Sequence, residues 1–209
     1  MKAGIPPLYA VLSADLFPGE PEDCASKLAD AGVQLIQYRN KQASSRELLR
    51  VARGLSALSR AHDFRFVMND RADIALLAGA GGVHVGQEDL PVEAARRVCG
   101  PACWVGVSTH NLEQLRAAAA TSADYIAVGP VFQTGSKANP DAVVGLDFVR
   151  QARALTNKPL VAIGGITAER AAEVYAAGAD SLAVISDLVQ AADLPARVRE
   201  YLRAAGSRA

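Results

Sequence analysis

The chain has 209 residues, of which 50% are apolar, so it can bury one core but has no surplus for a second domain. Lys+Arg and Asp+Glu both number 22, and this zero net charge excludes a basic field that would gather nucleic acid. Apolar runs fall short of the roughly 18 residues of a membrane helix, and three cysteines do not form a disulfide framework. The sequence predicts one cytoplasmic domain, residues 1–209, that binds any anionic ligand at a local site.

Short apolar runs alternate with longer segments of helical period along the chain. The predicted strands are Leu8–Leu12, Val33–Gln37, Phe66–Met68, Gly82–Val85, Trp104–Val107, Tyr125–Val128, Leu160–Ile163 and Ser181–Ile185. The predicted helices are Glu22–Ala31, Ser44–Ala61, Ala72–Ala78, Val92–Val98, Leu112–Ala120, Leu146–Leu155, Ala168–Ala176 and Leu194–Ala204. Eight such units indicate an α/β fold, a single (β/α)8 TIM barrel. The alternative is a doubly wound open sheet, but no Gly-x-Gly-x-x-Gly turn follows the first strand.

One segment departs from this alternation. Residues 129–145 (GPVFQTGSKANPDAVVG) show no clear helix and are rich in Gly, Pro, Ser and Asn. The segment follows the sixth predicted strand, at the end of the barrel where active sites lie. Because long loops in compact domains are usually functional, we expect this one to act as a lid over the site.

Polar side chains cluster where the second predicted strand ends. With a side-chain period of two, Gln37, Arg39 and Lys41 share one face, while Tyr38 and Asn40 take the other. An amide, a guanidinium and an ammonium on one face suit a diphosphate, because Arg grips two oxygens and Lys adds charge. The alternative is a strand end that frays into solvent.

Two aspartates follow neighbouring strands. Asp70 lies after the third predicted strand and Asp89 after the fourth, so they can face each other across the barrel mouth. Two carboxylates there would repel unless a cation lay between them, and Mg²⁺ favours one or two carboxylates with waters and substrate phosphates. The alternative is helix capping by each aspartate. The predicted metal ligands are Asp70 and Asp89.

After the fifth predicted strand, Ser108 is well placed to touch a ligand, whereas Asn111 resembles the first residue of a capping box. His84, inside an apolar strand, is interpreted as a core histidine with its hydrogen bonds satisfied. His110 is left open, and His62 is expected to be exposed to solvent.

Two further segments indicate a second anion site on the same rim. Residues 134–137 (TGSK) offer hydroxyls, a glycine and an ammonium, although a surface turn has the same composition. Gly164-Gly165 follows the seventh predicted strand, and Ile185-Ser186 lies at the exit of the eighth. Barrels often bind phosphate with the loops after these two strands. Two anion sites predict a transfer between two phosphorylated molecules.

The motifs in this order resemble the thiamine phosphate synthase family, which is related to thiazole tautomerase. The resemblance rests on Gln-x-Arg-x-Lys at 37–41, Asn-Asp-Arg at 69–71, Val-His-Val-Gly-Gln-Glu-Asp-Leu-Pro at 83–91, Gly-Val-Ser at 106–108, Gly-Pro-Val-Phe-x-Thr at 129–134, Gly-Gly-Ile at 164–166 and Val-Ile-Ser at 184–186. It implies a transferase of thiamine biosynthesis that condenses 4-amino-2-methyl-5-hydroxymethylpyrimidine diphosphate with thiazole phosphate, giving thiamine phosphate and pyrophosphate.

The resemblance also implies roles for individual residues. The implied contacts of the pyrimidine diphosphate are Gln37, Tyr38, Arg39, Asn40, Lys41, Asn69, Ser108 and Lys137. Those of the thiazole phosphate are Thr134, Gly135, Ser136, Gly165, Ile185 and Ser186. Asp70 and Asp89 would bind Mg²⁺ as the cofactor. Arg39, Lys41, Ser108 and Lys137 would be catalytic by stabilising charge and positioning the substrates, without a protein nucleophile.

Two positions depart from the family pattern: Asn40 stands where the family usually has Glu, and Ser136 where it usually has Thr. One alternative function is a thiazole tautomerase, against which the paired Asp70 and Asp89 argue, since a tautomerase has no diphosphate to coordinate. Another is a non-catalytic sensor of phosphorylated metabolites. The expected partners are small molecules only, with neither nucleic acid nor membrane. A homo-oligomer is compatible with the sequence, which does not decide the oligomeric state.

Overall fold

Eight parallel strands form a closed barrel in a computed structural model of the protein, which describes residues 4–135 and 142–206. The strands are β1 (Leu8–Ser13), β2 (Leu35–Arg39), β3 (Arg65–Asn69), β4 (Gly82–Val85), β5 (Trp104–Thr109), β6 (Tyr125–Val128), β7 (Leu160–Ile163) and β8 (Ser181–Val184). The helices are α1 (Pro21–Asp30), α2 (Ser45–Ala61), α3 (Ala72–Ala78), α4 (Val92–Cys99), α5 (Leu112–Ala119), α6 (Gly145–Leu155), α7 (Ala168–Ala176), α8 (Ser186–Val189) and α9 (Leu194–Gly206).

The barrel closes because β1 pairs in parallel with both β2 and β8. Each of the other strands pairs with its neighbours in chain order, so the strand order is the sequence order. A helix follows every strand, as parallel strands require a crossover on the outside of the barrel. The predicted (β/α)8 barrel is confirmed.

Side chains of the strands alternate between two buried layers. One cluster fills the barrel interior and includes Tyr9, Val11, Leu35, Val67 and Tyr125. The residues between them in sequence pack outward against the helices. Both faces of each strand are therefore buried, which explains the nearly continuous apolar runs.

The observed elements differ from the predicted ones at their ends and in one addition. Strand β2 begins two residues later than predicted and extends to Arg39, which places Arg39 on the barrel rim. The short helix α8 was not predicted, because four residues are too few to show a helical period.

Two further expectations can be compared with the described part of the chain. In residues 4–135 and 142–206, no helix is both long and apolar enough to cross a membrane. Cys24, Cys99 and Cys103 are free thiols, in agreement with the expectation that no disulfide framework exists.

Candidate active site at the barrel mouth

The exit of β2 presents the predicted cationic face to the barrel mouth. Gln37 lies inside the barrel and is buried, whereas Arg39 and Lys41 lie progressively farther out, with side chains 18% and 58% exposed. The Arg39 guanidinium donates to the Ser13 hydroxyl (3.0 Å), and its Nη1 lies 3.8 Å from a carboxylate oxygen of Asp15. Sequence reasoning missed Ser13, at the end of β1, and Asp15, in the turn after it, which hold Arg39 in place.

Tyr38 and Asn40 lie on the opposite face, as the period of two predicts. The Tyr38 ring is buried in the outer layer, and its hydroxyl accepts a hydrogen bond from the Asn40 amide (3.2 Å). The Asn40 side-chain oxygen in turn accepts the backbone N–H groups of Gln42 and Ala43. These two side chains fasten the loop after β2 and do not face the barrel mouth. The contact of these two residues with the pyrimidine diphosphate, which the resemblance implies, stays a prediction.

The two predicted metal ligands lie together. Burial, and then the hydrogen bond and charge of Asp89, raise the pKa of the Asp70 carboxyl to about 6. Lys41 partly offsets this rise, since its ammonium lies 3.6 Å from the Asp70 carboxylate. Asp70 adopts a positive φ of 63°, which turns its side chain out of the strand, and its N–H donates to the His84 carbonyl. Asp89 accepts the N–H of Gly86 (2.7 Å).

The alternative reading of these aspartates as helix caps is wrong. The N-cap residue of α3 is Arg71, and no side chain caps that end of the helix. The N-cap residue of α4 is Pro91, again without a side-chain cap, and Asp89 instead closes its own loop through Gly86. Neither carboxylate is therefore occupied by the end of a helix.

The carboxylate pair fits the donor set of a magnesium ion. In the described residues, His, Cys, Asp and Glu form no group of three or more that could hold a metal by itself. Mg²⁺, however, keeps several waters and takes further oxygens from substrate phosphates, so two protein carboxylates are sufficient. Asp89 lies close enough to Asp70 to raise its pKa, and a cation between the two carboxylates would relieve their repulsion.

Ser108 lies near the rim of β5 and is fixed by two neighbours. Its hydroxyl lies 2.9 Å from Nε2 of His84, and its carbonyl accepts the Gln87 side-chain amide. His84 is buried and bonds through Nδ1 to the Tyr125 hydroxyl at 3.0 Å. The interpretation of His84 as a satisfied core histidine is confirmed. Asn69, at the end of β3, is in register with His84 and therefore lies on the same rim.

The long loop is fastened at both ends. The N–H groups of Val131 and Phe132 donate to the carbonyls of Ile163 and Gly164, and Val144 donates to Pro130. Val131 is fully buried. The predicted contacts Ser136 and Lys137, and with them the middle of the predicted lid, lie outside the described residues.

Gly165 needs to be glycine for a reason that the sequence did not indicate. Its φ is +61°, and a Cβ there would lie 2.3 Å from the Gln133 carbonyl oxygen and 2.9 Å from Cβ of Phe132. The long loop therefore packs directly on the backbone of Gly165. Thr134 and Gly135 follow this contact, so Gly165 positions the residues predicted to hold the second phosphate.

Ile185 and Ser186 form the start of α8, next to the end of β7. The Asp187 carboxylate, largely buried, accepts the Tyr201 hydroxyl (2.7 Å) and the N–H of Ala168 in the first turn of α7 (3.3 Å). Asp187 thus joins α8 to α7, and sequence reasoning missed this role. No periodic pattern marks a carboxylate that caps a helix other than its own.

The remaining sequence assignments hold with one addition. Asn111 is the N-cap of α5 and accepts the N–H of Gln114, as predicted. His110, which the sequence left open, donates from Nδ1 to the Gly129 carbonyl (2.7 Å) and so fastens the start of the long loop to β5. His62 is partly exposed and lies 3.2 Å from Asp30.

These features define a TIM-barrel protein with anion-binding groups and a carboxylate pair at its mouth. The family model for thiamine monophosphate synthase matches residues 8–188. The chain belongs to this family.

Individual relatives agree with the family. A thiamine-phosphate synthase of Koribacter versatilis is 52% identical over 204 residues, covering 95% of each chain. One of Moorella thermoacetica is 43% identical over 194 residues, covering 92% of each. Among solved structures, thiamine phosphate pyrophosphorylase from Pyrococcus furiosus superposes with a TM-score of 0.86 at 34% identity, over 96% of this chain and 95% of that one.

Proposed function

We propose that this protein is a thiamine-phosphate synthase that joins 4-amino-2-methyl-5-hydroxymethylpyrimidine diphosphate to thiazole phosphate and releases pyrophosphate. Family membership and relatives that carry this name support the activity. The observation that carries the proposal is the meeting of Arg39 and Lys41 with the Asp70–Asp89 pair at one barrel mouth. Cations beside paired carboxylates suit a diphosphate that carries its own divalent metal.

Arg39 and Lys41 would bind the diphosphate oxygens, and the Gln37 amide lies below them in the barrel. In the structure, Arg39 forms an ion pair with Asp15, and Lys41 forms one with Asp70. Both pairs are partly exposed and weak, so a diphosphate, which carries several negative charges, can compete for the cations at little cost. The guanidinium offers two parallel donors, which match two oxygens of one phosphate group.

Asp70 and Asp89 would hold Mg²⁺, which would neutralise negative charge on the departing pyrophosphate. The fold supplies the pair in advance: a positive φ turns out Asp70, and the N–H of Gly86 orients Asp89. This arrangement favours a metal that arrives with the substrate and takes the rest of its ligands from phosphate and water.

The chemistry requires positioning and charge stabilisation and no protein nucleophile. The bond between the pyrimidine methylene carbon and the diphosphate oxygen breaks, and that oxygen keeps the electron pair. The thiazole nitrogen then donates its lone pair to the methylene carbon, forming the new C–N bond. Arg39 and Lys41 would stabilise the departing anion, with Lys137, which lies outside the described residues. Ser108 would orient the pyrimidine.

The thiazole phosphate would bind across the rim, between the long loop and α8. Thr134 and Gly135 follow the contact between the loop and Gly165, and Ile185 and Ser186 begin α8 next to it. Ser136, also predicted here, lies outside the described residues. The Asp187 carboxylate fixes the distance between α7 and α8, so the second ligand would meet a preformed surface.

Incubation with both substrates and Mg²⁺ tests the proposal, with the products separated by chromatography and identified by mass. We expect thiamine phosphate, with one pyrimidine diphosphate and one thiazole phosphate consumed for each product. A tautomerase would isomerise the thiazole alone and leave the pyrimidine intact. A sensor would bind ligands without consuming either. Either of these results would overturn the proposal. The cytoplasmic location stays a prediction of the sequence.

A further inference from the structure

A chain of hydrogen bonds crosses the interior of the barrel beneath the mouth. The Gln37 amide donates to the Tyr9 hydroxyl at 2.7 Å, and the hydroxyls of Tyr9 and Tyr125 lie 2.9 Å apart. Tyr125 bonds to Nδ1 of His84 at 3.0 Å, and Nε2 of His84 lies 2.9 Å from the Ser108 hydroxyl. We call this chain the interior relay. It connects the buried residue of the β2 face with the candidate contact on β5.

The polarity of the relay is the same along its whole length. Each phenol has one proton, and a buried proton without an acceptor is costly, so a buried phenol that accepts from one neighbour donates to the next. Since the Gln37 amide donates to Tyr9, Tyr9 donates to Tyr125. Tyr125 then donates to Nδ1 of His84, which selects the tautomer with its proton on Nε2. That proton goes to the Ser108 oxygen, which leaves the Ser108 hydroxyl proton for a ligand.

The relay therefore presents a hydrogen-bond donor at one end and an acceptor at the other. With this polarity, Ser108 presents a donor, while Gln37 has directed an N–H inward and keeps its amide oxygen as an acceptor. Turning the Gln37 amide over would reverse every bond and exchange donor for acceptor at both ends. A change at either end, or a break between them, therefore alters what both ends present.

The sequence makes specific room for this relay. A Cβ on Gly106 would lie 2.0 Å from Cζ of the Tyr125 ring, so glycine is required for the phenol to reach its position. Tyr125 stacks on His84 with ring centroids 5.5 Å apart, and Tyr9 meets Tyr125 edge to face. Burial raises the pKa of both phenols well above the ordinary value, so both keep their protons. Apolar residues would fill the same volume with no polar group to satisfy.

We infer that Tyr9, Tyr125 and His84 are positioning residues that orient Gln37 and Ser108 with matched polarity toward the pyrimidine ring. This inference rests on the proposed function. A 4-aminopyrimidine offers amine N–H donors beside a ring nitrogen acceptor, and these complement the Gln37 oxygen and the Ser108 proton. A 4-oxopyrimidine offers the reverse pattern on the same edge. The relay thus determines specificity for an amino group at this position.

The test compares Tyr125→Phe, which removes the central hydroxyl and keeps the ring, with the matched control Tyr175→Phe. Tyr175 is also buried, but its hydroxyl donates to the Pro7 carbonyl outside the relay. For each protein, kcat/KM is measured with the amino substrate and with its 4-oxo analogue, and KM is measured for thiazole phosphate. Tyr9→Phe breaks the relay at a second point and replaces Tyr125→Phe if the latter does not fold.

We expect Tyr125→Phe to lower kcat/KM for the amino substrate by about tenfold or more and to reduce the preference for it over the 4-oxo analogue by a similar factor. KM for thiazole phosphate should stay within about twofold of wild type, and Tyr175→Phe should keep the wild-type preference. The inference would be overturned if both relay variants kept the wild-type preference for the amino substrate, or if Tyr175→Phe lost that preference equally. The proposed function would still stand in either case, provided that the wild-type protein is active. Wild-type protein that forms no thiamine phosphate would overturn both.

Discussion

Replacing Asp70 or Asp89 by asparagine separates a metal-binding role from a helix-capping role, because asparagine caps a helix as well as aspartate does. Asparagine keeps nearly the same shape but removes one negative charge. If the two carboxylates hold Mg²⁺, the half-saturating magnesium concentration of each variant should rise by about a hundredfold, which corresponds to about 2.7 kcal/mol. Turnover at saturating substrate should fall by orders of magnitude, because the charge on the departing pyrophosphate loses part of its compensation.

Without metal, the Asp70→Asn variant should be more stable than the wild type, although it binds Mg²⁺ less tightly. A pKa raised to about 6 means that the folded protein holds a proton that the unfolded chain releases near its ordinary value of 3.8. Wild-type stability should therefore fall as the pH rises from about 4 to 6 and stay level above that. After allowance for solvent screening, Asp70→Asn should gain about 1–2 kcal/mol at pH 7.

The assays are magnesium titration of pyrophosphate release and thermal unfolding with and without Mg²⁺. Wild-type protein should be stabilised by Mg²⁺ together with the pyrimidine diphosphate, and the asparagine variants much less so. Asn111→Asp supplies a control, since it changes the charge at the N-cap of α5, where the side chain bonds to Gln114, and keeps the cap. Full activity at wild-type magnesium concentrations in both Asp70→Asn and Asp89→Asn would refute the assignment of the metal ligands.

Three further substitutions test separate parts of the account. Arg39→Ala should weaken binding of the pyrimidine diphosphate by about 2–5 kcal/mol and leave thiazole phosphate nearly unaffected, as measured by calorimetry; equal losses would contradict the two-site arrangement. Gly165→Val should have the reverse selectivity, raising KM for thiazole phosphate, because a side chain would displace the loop at Gln133; an unchanged KM in folded protein would remove Gly165 from the site. Asn111→Ala should lower the free energy of unfolding by about 1 kcal/mol with activity intact. A loss of activity in a variant that is still folded would show that the cap also serves the site.

Much of the fold was readable from the sequence because strands and helices of a barrel differ in length and period. Eight apolar runs with helices between them allowed one closed arrangement, and the strand ends then placed Arg39, Asp70 and Ser108 on one rim. The sequence analysis selected Gly165 because glycine lets a phosphate approach the backbone, and that role stays a prediction. The structure shows a further reason for glycine at this position. The contact that demands glycine is with the Gln133 carbonyl, 32 residues away in sequence, and no local pattern encodes it.

The interior relay could not be predicted because both faces of a parallel strand are buried and equally apolar in sequence. Tyr9 and Tyr125 read as ordinary strand residues, and His84 as an isolated core histidine. Strand register provides the missing signal. Once Gln37 is placed inward, the register of neighbouring strands from β1 to β4 places Tyr9 and His84 inward as well. Asp15 lies in the turn after β1 and Asp187 in the four-residue helix α8, where side-chain partners depend on tertiary structure alone.

Pyrophosphate release tests the central claim most directly, with the pyrimidine diphosphate, thiazole phosphate and Mg²⁺ supplied together and each omitted in turn. We expect stoichiometric release when all three are present, and a loss of release by at least about a hundredfold when Mg²⁺ is removed by a chelator. Release that proceeds unchanged after chelation would contradict the role of Asp70 and Asp89. No release from the complete mixture would contradict the synthase assignment itself.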